Sequence, residues 1–121
     1  MSSEFNISIQ VNYASSLAND SFSYSFADDQ ASNGAQGQIV AVTTSCAAVS
    51  EGGLTTPGWV VVKNLDPSNF VTYGPDSGGS MIPMGRLDPL EAQVIKLSTA
   101  CSLRWVADTA TCKVQYKMFE R

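Results

Sequence analysis

The 121-residue chain contains no histidine. That removes Ser-His-Asp and Cys-His nucleophile systems, histidine metal sites and the commonest general base at neutral pH. Charge is also scarce, at 15% of residues against about 25% in an average protein. The surface must therefore be covered largely by Ser, Thr, Asn and Gln, which leaves room for a neighbouring subunit to cover part of it. Lysine and arginine are missing from the first 62 residues, which hold five acids: Glu4, Asp20, Asp28, Asp29 and Glu51. All seven bases lie from Lys63 to Arg121, and the net charge is -4. An acidic chain without a basic cluster is a poor match to phosphate, which argues against nucleic acid as partner. Chance accounts for the uneven spread as well as two surfaces of opposite sign do; the second would favour head-to-tail contact between copies.

No apolar run approaches the ~20 residues of a membrane helix, and no basic region precedes an apolar one at the start. No membrane partner is expected, and the product is expected to stay in the cytoplasm of the cell that makes it. Cysteine is sparse and odd in number: Cys46, Cys101 and Cys112. Reduced, buried thiols are expected. With a final hairpin turning near Asp108-Thr109, Cys112 would face about Trp105, too far from Cys101 for a disulfide. The spacings match no zinc pattern.

What the chain does have is alternation. Phe5, Ile7, Ile9, Val11 and Tyr13 alternate with Asn6, Ser8, Gln10 and Asn12, and Phe22, Tyr24 and Phe26 alternate with Ser23 and Ser25. Period two marks strands with one buried face. Further β-rich runs cover residues 39–44, 59–62, 70–73, 92–97 and 103–107. Trp59 to Val62 is wholly apolar and reads as buried on both faces. The last run sets Cys112, Val114, Tyr116 and Met118 against Lys113, Gln115 and Lys117. Turn chemistry separates the runs at 32–37, Pro57-Gly58, Asp66-Pro-Ser-Asn69, 74–79, Asp88-Pro89 and Asp108-Thr109. Cys46–Glu51 suits at most one helical turn. The pattern predicts one all-β domain over residues 1–121, a β-sandwich or jelly roll of seven or eight antiparallel strands.

No constellation for chemistry emerges: no catalytic, cofactor-binding or metal-ligating residue is assigned, and an enzyme is not expected. Asp28-Asp29, the one adjacent carboxylate pair, fits a solvated turn better than a glycosidase dyad. The Asp76-Ser-Gly-Gly79 stretch lacks the alternating oxygen ligands of a calcium loop. No phosphate-cradling Gly-x-x-x-x-Gly-Lys run occurs. Trp59 and Trp105 read as core, as do Tyr13, Tyr24 and Phe26, in preference to an exposed aromatic platform.

The order of motifs after Pro57 adds one further indication. Gly58-Trp-Val-Val-Val-Lys-Asn-Leu-Asp66 is followed by Asn69-Phe-Val-Thr-Tyr-Gly74, then Arg86-Leu-Asp-Pro-Leu-Glu91, an apolar strand and a closing pair. This resembles a group of small tailed-bacteriophage virion structural proteins. Their pattern is Gly-x-apolar-apolar-apolar-x-Asn-apolar-Asp, then Asn-apolar-apolar-x-apolar-Gly, then Leu-x-Pro-Gly-Glu. The match covers about half of the chain and departs at Leu90, where the pattern has Gly. The resemblance implies a virion part: a capsid decoration (cement) protein or a head-tail or tail component. Its partners would be the major capsid protein or another virion protein, together with copies of itself, a homotrimer being favoured. The segment before Gly34 would reach a neighbour. The competing class is a carbohydrate- or receptor-binding module on a tail or fibre, which needs exposed aromatics and polar groups converging on a concave surface.

Overall fold

The computed structural model describes residues 4–32 and 34–121. Every described element is a strand, and all ladders are antiparallel. Contacts group the chain into two compact units, Met1–Ala31 and Ser32–Arg121, where the periodicity alone reads as one continuous domain.

The first unit is a two-stranded ribbon. Strand β1 (Phe5–Ala14) pairs with β2 (Asn19–Asp28) through ten unbroken residue pairs, from Phe5 opposite Asp28 to Ala14 opposite Asn19. The tip is tied by Ser15. Its amide donates to the Ala18 carbonyl at 2.8 Å, and its hydroxyl accepts from the amides of Leu17 and Ala18. Such side-chain bonds are the usual means by which serine stabilises a turn.

The second unit is a β-sandwich. One sheet has the order β3 (Ala35–Val42), β11 (Cys112–Glu120), β5 (Pro57–Asn64), β9 (Ala92–Lys96). The other has the order β4 (Ala47–Ala48), β10 (Leu103–Ala107), β6 (Val71–Ser77), β7 (Ser80–Met81), with β8 (Gly85–Leu87) also on β6. The strands number eleven because three of them, β4, β7 and β8, are only two or three residues long. The eight longer ones fall on the eight runs marked by alternation and β-rich composition.

The core lies between these two sheets. Val60, Val62, Val114, Tyr116 and Met118 of the first meet Val71, Tyr73, Leu103 and Trp105 of the second. Trp105 and Tyr116 pack edge to face, with ring centroids 5.3 Å apart, the arrangement favoured by aromatic quadrupoles.

Three sequence expectations change here. Cys46–Glu51 is extended, not a helical turn: Ala47 and Ala48 pair with Trp105 and Arg104. Trp59–Val62 is not buried on both faces; Val60 and Val62 face the core while Val61 is exposed. The last two strands do not form a hairpin. Residues 108–111 carry the chain from one sheet to the other, and β11 pairs with β3 and β5. The reason is that both β10 and β11 have a core-facing row and each finds its ladder partners elsewhere, so they face one another across the core.

Candidate interaction surfaces

The ribbon concentrates its apolar side chains on one face. The register sets Ile7 opposite Phe26, Ile9 opposite Tyr24 and Val11 opposite Phe22, with Tyr13 next along β1. Because side chains alternate, these residues share a face, and Asn, Ser and Gln take the other. The apolar face is open to solvent: Ile9 is 45% and Tyr24 63% exposed, and Leu17 at the tip is 96% exposed. The expectation that Tyr13, Tyr24 and Phe26 belong to a core is therefore overturned. A two-stranded ribbon is marginal by itself in water, and a contiguous exposed apolar patch marks an interaction surface. Nor is the ribbon guarded against pairing: it has no Lys, no Pro and no bulge, the usual protections of an edge strand.

A second surface is the outer face of the β3–β11–β5–β9 sheet. Lys113 and Lys117 of β11, Lys63 of β5 and Lys96 of β9 all lie on it, on the side opposite the buried residues of β5 and β11 and the half-buried Gln93 and Ile95 of β9. These are the only four lysines in the chain. Between them run exposed apolar residues: Val61 is paired with Val94 on one side and Lys117 on the other, and Ile39 lies opposite Gln115. The Lys96 ammonium sits 5.5 Å from the centre of the Trp59 ring, a cation–π contact. Trp59 is thus half-buried on the outer face, not in the core where its apolar neighbours suggest. A shallow hollow of about 320 Å³ is bounded by Val61, Lys63, Ala92, Gln115 and Lys117. The one carboxylate within these four strands, Glu120, is buried and accepts bonds from the amides of Thr55 and Thr56.

The polar groups inside the sandwich hold structure. Asn64 is fully buried; its Nδ2 donates to the carbonyls of Asn69 (2.9 Å) and Leu87 (3.2 Å), and its Oδ1 accepts from the Asp66 amide at 2.9 Å. Asp66 accepts from the amides of Ser68 and Asn69. The bond from Asn69 and then that from Ser68 hold its carboxyl below the ordinary value of 3.8. The motif Asn64-Leu-Asp66 followed by Asn69 is thus a cap on the turn leading to β6. The Tyr116 hydroxyl donates to the Ser50 carbonyl at 2.7 Å and accepts from Gln36 and Gln38.

The three cysteines are free, and their burial differs: Cys46 is exposed, Cys101 half-buried and Cys112 buried. Only the last matches the expectation of buried thiols. Burial, followed by the nearby charges of Asp66 and Asp108, pushes the Cys112 thiol up, which makes it unreactive. Asp76, considered above as part of a calcium loop, instead lies 3.5 Å from Arg104, and the loop tip is Gly78-Gly79, both at positive φ. Among the described residues no three Cys, Asp or Glu side chains gather closely enough to hold a metal. No described helix is long and apolar enough to cross a membrane.

The comparisons with known proteins add no identification: no family model matches the chain, nor does any curated protein or solved structure.

Proposed function

We propose that the chain is a structural component of a tailed-phage virion, a capsid decoration protein that works as a homotrimer bound to the outer shell by protein–protein contacts. The observation that carries a protein-binding role is the exposed apolar ladder of the ribbon, backed by a sheet face on which all four lysines stand. Both are broad, regular surfaces of the kind that meet another protein, and neither converges on a reactive group. The phage assignment is supported by the motifs from Gly58 to Glu91. Trimers suit the three-fold positions of an icosahedral shell, where several modest contacts act together.

A carbohydrate-binding module is the second reading, favoured by the exposed tyrosines Tyr13 and Tyr24. It is the weaker one, because sugar recognition needs polar groups between the aromatics and the ladder places aliphatic side chains there. Light scattering of the purified protein, together with co-sedimentation with DNA-free capsids of the phage that carries its gene, tests the proposal. The expected result is a three-chain mass and saturable capsid binding. A monomer that also ignores capsids would refute it.

A further inference from the structure

We propose that the ribbon of one copy docks, apolar face down, on the lysine-bearing outer face of the β3–β11–β5–β9 sheet of another copy. This rests on the self-association part of the reading above and is independent of the virion part.

Charge makes the first case. The ribbon unit holds Glu4, Asp20, Asp28 and Asp29 and no base. The remaining residues hold seven acids and seven bases, so the whole net charge of -4 belongs to the ribbon. The sheet face offers four lysines and no exposed carboxylate on its strands. Opposite patches on two copies steer association and fix register. They also disfavour the obvious rival, ribbon against ribbon, which would set acidic ends beside acidic ends. The ribbon's charges lie at its ends, while positions 6–13 and 21–27 are uncharged. Its apolar middle can therefore meet Val61, Val94 and Ile39 while its ends remain near lysines.

Shape makes the second case. Two sheets pack face to face ~10 Å apart with strands within ~30° of each other. A ribbon of ten-residue strands is ~34 Å long and ~10 Å wide, and the longest strands of the receiving sheet have eight or nine residues. The footprint is ~350 Å² on each partner, ~700 Å² in all, well short of the ~1,600 Å² of a typical stable pair. One such contact would be weak. The contact is heterologous, however, and a heterologous contact whose rotation closes makes a ring in which every copy gives one ribbon and receives one. Closure doubles the area held by each chain.

Two full-length double variants test this by light scattering, with far-ultraviolet spectra to show that each keeps its strands. Ile9→Thr/Tyr24→Thr removes the ribbon's grip with β-forming residues and leaves the lysine face intact. Lys63→Glu/Lys117→Glu reverses the face and leaves the ribbon intact. The wild type is expected to be a multimer and each variant a single chain. Adding Asp28→Lys/Asp29→Lys to the lysine-reversed chain is expected to restore the multimer. A multimeric Lys63→Glu/Lys117→Glu or Ile9→Thr/Tyr24→Thr chain would overturn the contact, as would a monomeric wild type. Capsid co-sedimentation, read on the same samples, reports separately on the virion assignment.

Discussion

Asp66 shows how a single carboxylate fixes a turn. Its Oδ2 accepts two backbone amides, and those bonds favour the charged form. Because its folded value lies below that of the unfolded chain, its contribution is present above the unfolded value and is lost as pH falls through the folded one. Asp66→Asn cannot titrate. The stability difference between wild type and Asp66→Asn, measured by urea unfolding, should be constant near neutral pH and shrink as pH falls below about 4, near the ordinary carboxyl value. Asn64, fully buried beside it, stands just before the Asp66-Pro-Ser-Asn69 turn that the sequence marks, but its burial is not written in that pattern. The outcome for the aromatics was less legible. Alternation tells that Ile9, Val11, Phe22 and Tyr24 share a face, but it carries no information on what covers that face.

At the scale of elements, the turn between β8 and β9 keeps its geometry despite an unfavourable residue. The Glu91 amide donates to the Asp88 carbonyl at 3.0 Å, closing a four-residue turn with Pro89 and Leu90 at its centre. Leu90 has φ 65, the left-handed region that a type II turn requires at its third position. Glycine reaches this region without strain, whereas another L-residue gives up ~1–2 kcal/mol there. Leu90 is exposed and forfeits little packing on removal. Leu90→Gly should therefore stabilise the protein by about 0.5–1 kcal/mol once the added freedom of the unfolded chain is subtracted, seen as a higher urea midpoint with an unchanged slope. The Pro and Glu of this turn were readable from sequence. The lysine face was not: Lys63 and Lys117 are far apart in the chain, and only the pairing of β5 with β11 brings them onto one face as diagonal neighbours. The false closing hairpin has a related cause, since two adjacent alternating runs look the same whether they pair edge to edge or face each other across a core.

For the whole molecule, the decisive arrangement is that β11, the last strand in chain order, is central in its sheet. It lies between β3, with eight residue pairs, and β5, with six. It also supplies Tyr116, against which Trp105 packs. A chain ending at Thr111 should therefore lose the sandwich altogether. Its tryptophan emission should shift to that of exposed indole and its amide proton spectrum should collapse in dispersion; retained native emission would contradict this placement of the core. Pairings of long sequence separation form late, while a local hairpin such as β1–β2 can form in microseconds. During synthesis, then, both strands of the ribbon emerge well before the sandwich receives β11. In chain order the exposed apolar face of the ribbon therefore precedes β11, the strand that completes the sheet on which all four lysines stand, so the surface most in need of cover is the first to be made.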